Sequence, residues 1–111
     1  FSPKHPGSID ELRHCARQGI AFLPWSPLGG TGGGARTVGD RFSAFAEVAS
    51  THGVSPQRVV LAWELALAGN VIPIPGARRA ASIVDSAAAT DLVLSDDEVA
   101  RLSFSVGIDP E

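Results

Sequence analysis

Two neighbouring arginines, Arg78 and Arg79, are the residues of this sequence best suited to bind an anionic ligand. They follow the apolar run 71–74 and a tight Pro-Gly segment, and a helix-compatible run from Ala80 to Ala89 comes next. A guanidinium group can hold a phosphate through two parallel hydrogen bonds, and a helix N-terminus presents N–H groups that favour negative charge. The order of residues therefore predicts a phosphate-binding loop. A solvated arginine pair is the alternative, and the pattern alone leaves both interpretations open.

A second loop with ligand-binding character follows the apolar run 20–24. Its residues are Ser26, Pro27, Leu28 and Gly29. A continuous apolar run of this length predicts a strand buried on both faces, as in a parallel sheet, and ligands of such folds bind beyond the carboxyl ends of the strands. We expect the N–H groups of Leu28, Gly29 and Gly30 to face a pyrophosphate, with the Ser26 hydroxyl contributing. A turn with a capping serine is the alternative.

Glycines are frequent after this loop, and residues 30–35 match the relaxed dinucleotide-binding pattern G-x-G-x-x-A. The match begins several residues beyond the predicted strand, and the polar residues after it do not open an apolar helix, as the motif requires. We interpret the stretch from Thr31 to Gly39 as a glycine-rich loop. Such a loop can lie close to a ligand because glycine permits positive φ angles.

The remaining polar and aromatic residues indicate structure rather than chemistry. The three histidines have no metal-ligand spacing with one another or with Cys15, which we expect to be a small core residue. The acidic residues 96–98 are interpreted as charges in the first turn of a helix. Trp63 lies on an apolar helical stripe and is predicted to be in the core, whereas Trp25 suits either a pocket wall or the core.

Helices and strands alternate in the predicted order of elements. Helices are predicted at Ile9–Gln18, from Phe42 to an end near His52-Gly53, from Pro56 through a stripe that reaches Leu67 and stops at Gly69-Asn70, at Ala80–Ala89 and at Asp96–Ser103. Strands are predicted at Ile20–Pro24 and Val71–Ile74. Ser8 with Glu11, and Ser95 with Glu98, have capping-box spacing, and Ser55 suits a helix cap before a first-turn proline. The alternation predicts an α/β fold with parallel strands and right-handed crossovers.

The composition describes a protein built around a buried core. The chain has 111 residues, is 44% hydrophobic and carries a net charge of −3, which argues against a nucleic-acid or membrane-surface role because those need a basic face. One cysteine excludes an internal disulfide and suits a reducing, cytoplasmic compartment. Because two strands cannot cover all the apolar helix faces, we expect residues 1–111 to form a single, incomplete domain.

Four segments occur in an order and spacing shared with a known family. They are residues 19–30, residues 60–63, residues 71–76, and the pair Leu94-Ser95 with Glu98. Together they resemble the C-terminal third of the aldo-keto reductases, and the resemblance extends over nearly the whole chain. It implies a partial (β/α)8 TIM barrel, in which the two parallel strands with their flanking helices are the seventh and eighth of the barrel.

The aldo-keto reductases use NADPH, or less often NADH, to reduce aldehydes and ketones, so the resemblance implies an NADP-dependent oxidoreductase. In that case Ser26, Pro27, Leu28 and Gly29 would line the pyrophosphate, Gly76, Ala77, Arg78 and Arg79 would surround the adenosine 2′-phosphate, and Ser82, Asp85 and Ser86 would lie beside the adenine. The family usually has a longer residue in place of Ser82 and Glu-Asn in place of Asp85-Ser86. Since serine lacks the paired donor and acceptor of an amide, a weaker contact to adenine is implied.

No residue of the chain corresponds to the catalytic residues of the family, which are an aspartate, a tyrosine, a lysine and a histidine. The chain has no tyrosine, and its one lysine, Lys4, has a different sequence context. The resemblance therefore implies a cofactor-binding portion that is inactive by itself, with a small carbonyl substrate bound by the full-length parent. A non-catalytic nucleotide-binding or regulatory module is one alternative, and a self-associating fragment is another. Because the strands are so apolar, we expect self-association or pairing with the missing N-terminal portion.

Overall fold

A computed structural model describes residues 1–30 and 33–111 of the chain. The elements are, in order, a 3₁₀ turn at Pro6–Ser8, α1 (Ile9–Gln18), α2 (Val38–Arg41), α3 (Ser43–His52), α4 (Pro56–Leu67), α5 (Ala80–Ala87), a second 3₁₀ turn at Ala88–Asp91, and α6 (Asp96–Ser105). All five predicted helices are present, and the predicted bounds of α1 and α4 are confirmed. None of the described helices is long and apolar enough to cross a membrane.

Three local predictions need correction. The end of the glycine-rich stretch, at Val38 and Gly39, forms the start of a short helix, α2, where a loop was expected, and a break at Phe42 separates α2 from α3. The helix expected to reach Ala89 ends as α5 at Ala87, because the following residues tighten into a 3₁₀ turn. Cys15 is only half-buried rather than a core residue, since Leu12 is the one fully buried residue of α1.

Two of the three expected serine caps are confirmed. Ser55 accepts a hydrogen bond from the N–H of Arg58 at the start of α4, and Ser95 forms a complete capping box with Glu98 at the start of α6. Both serines have extended backbones, which is the conformation that lets a cap side chain reach back to the first turn. The box predicted at Ser8 is wrong, because a 3₁₀ turn runs directly into α1 and Ser8 is not extended.

The two apolar runs pair in parallel. Phe22 lies beside Val71, and Trp25 lies beside Ile74. This pairing confirms the parallel arrangement and places the carboxyl ends of both runs at the same edge. The runs form isolated bridges rather than the two continuous strands that were predicted.

Proline explains why the strands are interrupted. The N–H groups of Ile72 and Ile74 donate to the carbonyl oxygens of Phe22 and Pro24, at 2.9 and 3.2 Å. In a regular parallel ladder the N–H at position 24 would donate back to the neighbouring segment, and proline has no N–H to give. The two segments therefore pair with one hydrogen bond fewer than a regular parallel ladder, and the missing bond is at the centre of the pairing.

Helix α4 runs through the centre of the core. Trp63 is fully buried on this helix, as predicted; its ring packs edge-to-face on Phe45, and its indole N–H donates to Ser103 at 3.0 Å. The core cluster comprises Leu28, Val38, Phe45, Val48, Ala49, Val59, Val60, Leu61, Ala62, Trp63, Ala89, Leu102 and Ile108. Most of these residues lie on α3, α4 and α6, so the core is largely helical.

One face of the paired segments is not covered by the described residues. The exposed apolar side chains of this face are Leu23, Trp25, Ile72 and Ile74, which we call the exposed strand face. Pro24 and Val71, which point to the other side, are buried. The expectation that both faces of these strands are buried is therefore wrong for this chain, because its helices pack on one side only.

Candidate cofactor-binding site

The two candidate loops leave the same edge of the paired segments. Trp25 and Ile74 form the last parallel bridge, so the loop that begins at Ser26 and the loop that begins at Pro75 start side by side. In α/β folds this carboxyl-terminal edge is where ligands bind. The structure therefore brings together the two loops that the residue pattern singled out.

The first loop is a tight turn. The N–H of Gly29 donates to the carbonyl of Ser26 at 3.0 Å, with Pro27 at the second position of the turn, where its fixed φ is favoured. Ser26 has a φ of 52°, which is uncommon for a residue with a side chain, and Gly29 has a φ of 103°. Because the N–H of Gly29 is used inside the turn, the expectation that it faces a pyrophosphate is not met.

Two buried apolar side chains hold this turn against the core. Leu28 is 8% exposed and belongs to the core cluster, and Pro27 is fully buried. Ser26, the first residue of the turn, is partly exposed. The side chains of Leu28 and Pro27 therefore hold the loop in place, and the parts of the loop that remain available to a ligand are backbone atoms and the Ser26 hydroxyl.

The glycine-rich stretch folds back onto this turn. A Cβ added at Gly34 would lie 2.7 Å from the carbonyl oxygen of Gly29, so only glycine fits there. Gln57 of α4 donates to the carbonyl of Ala35 at 2.8 Å, which ties the stretch to the core helix. Residues 31–32, which belong to the G-x-G-x-x-A match, lie outside the described residues.

The second loop presents the arginine pair to solvent. Gly76, Ala77, Arg78 and Arg79 are all exposed. Neither arginine forms an ion pair with any other residue in the described parts of the chain. Arg79 is the residue before α5, and no side chain caps that helix. Two unpaired guanidinium groups beside uncapped helical N–H groups favour an anion at this position.

The three residues expected beside an adenine lie on α5. Ser82 and Ser86 are partly buried there. The Asp85 carboxylate accepts hydrogen bonds from the Arg58 side chain at 2.8 and 3.0 Å and from the Ser55 hydroxyl. The sequence pattern does not point to Arg58 as a partner of Asp85, because the two are 27 residues apart and no local spacing marks the pair.

The sequence pattern allows Trp25 to be either a pocket wall or a core residue. Its side chain is 74% exposed at the edge where the two loops begin, so the core interpretation is wrong. The indole stands directly before Ser26 and offers a flat apolar surface next to the candidate site. A role in lining a ligand pocket stays a prediction.

Two acidic residues outside the site show contrasting environments. Glu64 of α4 is fully buried, its carboxyl oxygens have no hydrogen-bond partner among the described residues, and burial raises its pKa to about 9. Glu98 accepts hydrogen bonds from the Ser95 backbone and from His52 at 2.8 Å, and these bonds lower its pKa. Glu98 is thus a first-turn residue of α6, as its position in the cap predicted, and its bond to His52 also joins α6 to α3.

Comparisons with known proteins agree with this architecture. The sequence model of the Aldo/keto reductase family matches residues 10–104. The chain is 35% identical over 94 residues to pyridoxine 4-dehydrogenase of Escherichia coli, a match that covers 85% of this chain and 30% of that protein. It is 30% identical over 91 residues to an uncharacterized oxidoreductase of Schizosaccharomyces pombe, covering 82% of this chain and 28% of the relative.

A solved structure gives the same result for the fold. The thermostable aldo-keto reductase Tm1743, crystallised with the inhibitor epalrestat, superposes with a TM-score of 0.72 at 28% sequence identity over 93% of this chain and 35% of that one. The chain therefore spans about a third of the length of the relatives it matches. Its parallel segments and helices correspond to part of a (β/α)8 barrel, and the chain belongs to the aldo/keto reductase family of oxidoreductases.

Proposed function

We propose that this chain is the part of an NADP-dependent aldo-keto reductase that binds the phosphate groups of the cofactor. The observation that carries the proposal is the parallel pairing of Trp25 with Ile74, which starts both candidate loops at one edge. In (β/α)8 barrels a phosphate site is frequently formed by the loops after the last two strands. If the two paired segments are the seventh and eighth strands, as the resemblance implies, these loops would have that position.

The described residues fit a phosphorylated dinucleotide. The Ser26 turn offers a hydroxyl and backbone groups for a pyrophosphate, with Pro27, Leu28 and Gly29 shaping it. Gly76, Ala77, Arg78 and Arg79 form an exposed cationic loop for the 2′-phosphate that distinguishes NADPH from NADH. When bound, the nicotinamide supplies a hydride to a carbonyl carbon; the residues of this chain bind and orient the cofactor.

Trp25 completes the proposed site. Its indole is exposed at the start of the first loop, where a flat ring of the cofactor can pack against it.

A carbonyl substrate, an aldehyde or ketone, would be bound in the whole protein with residues from outside this chain. We further propose that the exposed strand face, apart from Trp25, is covered by the rest of the barrel, and that the protein works in the cytoplasm, which suits its single cysteine.

The test is cofactor titration of the protein that carries this chain, monitored by tryptophan fluorescence. Arg78→Ala should weaken binding of NADPH by roughly tenfold or more, the loss of one charge-assisted phosphate contact, and leave NADH within about twofold. Arg41→Ala, which removes an exposed arginine of α2, is the matched control and should change neither. Equal losses for the two cofactors would exclude a 2′-phosphate contact at Arg78.

A second measurement separates a cofactor-binding portion from a complete enzyme. The isolated 111-residue chain holds no tyrosine to protonate a carbonyl oxygen, so it should bind NADPH without oxidising it in the presence of aldehydes. Carbonyl-dependent NADPH oxidation by the pure chain would contradict this part of the proposal.

A further inference from the structure

Helix α5 is attached to the protein with little apolar burial. None of its residues is fully buried, and Ile83 and Val84 are 59% and 66% exposed. Within the described residues it packs against α4 and against the 3₁₀ turn that follows it. Because apolar contacts are few, polar contacts carry much of its attachment.

Those polar contacts converge on one carboxylate. Oδ1 of Asp85 accepts from Nε and a terminal nitrogen of Arg58, at 3.0 and 2.8 Å, and Oδ2 accepts from the Ser55 hydroxyl. Ser55 also caps α4 by accepting from the Arg58 N–H at 3.0 Å. We call Ser55, Arg58 and Asp85 the α4–α5 clamp. Its charged side chains are less than 30% exposed, so solvent screens the pair only in part.

Helix α5 connects the clamp to the loop that contains Arg78 and Arg79. Asp85 is the sixth residue of α5, and Arg79 is the residue before the first. A helix of eight residues transmits its orientation along its whole length, so fixing Asp85 fixes the start of the helix as well. The position of Arg79 and the direction of the loop before it therefore depend on the clamp.

We infer, as an extension of the proposed function, that Asp85 positions the phosphate-binding loop through Arg58 and Ser55 and does not read the base of the cofactor. Oδ1 already accepts two hydrogen bonds from Arg58 and Oδ2 accepts one from Ser55, so the carboxylate is held towards the start of α4 and keeps one acceptor position at most for the amino group of an adenine. The site is then selective for the 2′-phosphate and tolerant of the purine base. This differs from the role beside adenine that the family resemblance implied for Asp85.

The test compares NADPH with nicotinamide hypoxanthine dinucleotide phosphate, in which an oxo group replaces the exocyclic amine of adenine. The protein that carries this chain should bind the two within about twofold of each other, because no buried partner of the amine is lost. Asp85→Ala and Arg58→Ala should each weaken both ligands by roughly five- to tenfold, and the double variant should be no worse than either single one, as expected for residues that act together.

Two further variants complete the design. Arg58→Lys keeps the charge but not the two-nitrogen contact, so it should restore part of the affinity lost in Arg58→Ala. Arg101→Ala removes an arginine paired with Glu47 between α3 and α6, away from α5, and should leave both affinities unchanged. Hydrogen exchange of the α5 amides, measured on the 111-residue chain, should accelerate in Arg58→Ala and not in Arg101→Ala.

Several results would overturn the inference. If Asp85→Ala weakens NADPH but leaves the hypoxanthine analogue unchanged, Asp85 reads the amine. If Arg58→Ala leaves the exchange of α5 unchanged, the clamp does not hold the helix. A protein that binds neither dinucleotide would instead contradict the proposed function, and the exchange measurement would then still decide whether the clamp orders α5.

Discussion

Glu64 is a carboxyl group placed among apolar side chains. It is fully buried, and burial raises its pKa from an ordinary value of 4.5 to about 9. The folded protein therefore keeps Glu64 protonated at neutral pH, whereas the unfolded chain ionises it. The contribution of Glu64 to stability is greatest below about pH 4.5 and falls as the pH rises towards 9, because the unfolded state releases a proton that the folded state retains.

Substitution of Glu64 is expected to remove this pH dependence. Between pH 5 and pH 8 the wild-type chain should lose a few kcal/mol of unfolding free energy, at about 1.4 kcal/mol for each pH unit. Glu64→Gln should flatten the dependence, and Glu64→Leu should also raise stability at pH 8, since an apolar group needs no hydrogen bond there. Urea unfolding at the two pH values measures both effects.

Glu47→Gln is the matched control for this experiment, because Glu47 is exposed on α3. It should retain the pH dependence of the wild type. If the wild-type chain unfolds with equal free energy at pH 5 and pH 8, Glu64 is ionised or reached by solvent in the folded state.

Among the elements, the contact between α2 and α4 depends on a residue without a side chain. A Cβ added at Gly39 would lie 2.7 Å from Cγ and 3.1 Å from Cβ of Pro56, the first residue of α4. A proline ring at a helix start cannot turn aside as a long side chain does, so the two helices would have to separate.

Gly39→Ala should therefore destabilise the chain by about 1–3 kcal/mol through overpacking, even though alanine favours helix more than glycine does. Thermal unfolding followed by circular dichroism measures the effect. Gly69→Ala is the matched control, since an added Cβ there meets nothing within 4 Å. Equal melting temperatures for the two variants would show that α2 moves away from Pro56 at little cost.

The elements also show which parts of the structure are encoded locally. The bounds of α1 and α4 and the serine caps at Ser55 and Ser95 could be predicted, because helix periodicity and capping involve residues within one or two turns. The expected cap at Ser8 failed because its backbone conformation is set by the preceding turn.

The candidate site was predictable to a similar extent. The two loops follow apolar runs, which is a local signal, and the structure places them at one edge. The partners of Asp85 were not predictable, since Arg58 and Ser55 reach it only after α4 and α5 pack together. Pro24 is visible in the sequence, where a proline predicts a strand end, but the pairing continues past it because its carbonyl still accepts from Ile74.

At the scale of the whole molecule, the exposed strand face is the largest departure from a self-contained domain. Trp25 is 74% exposed, and Leu23 and Ile72 are about half exposed on the same side. An apolar surface shared by two adjacent segments marks an interaction site in a soluble protein. The isolated chain is expected to self-associate through this face when the rest of a barrel is absent.

Light scattering across a concentration series should show a mass above that of the 11.5 kDa monomer, and Leu23→Lys or Ile72→Lys should return it towards the monomer. Val93→Lys is the matched control, because Val93 is 83% exposed but lies outside the paired segments. A monomeric wild-type chain at all concentrations, or equal effects of the three variants, would show that this face does not mediate association.

The alternation of donors along the second paired segment limits how such an assembly can grow. The N–H groups of Ile72 and Ile74 point towards the first segment, so positions 71, 73 and 75 face the outer edge. Two of these are prolines, and the N–H of Val71 bonds to Ala68 at 3.4 Å. A further strand at this edge could donate hydrogen bonds to the carbonyl groups, but no free N–H group there would donate to it. Growth into fibres by addition of strands is therefore disfavoured, and we expect small assemblies that dissociate on dilution.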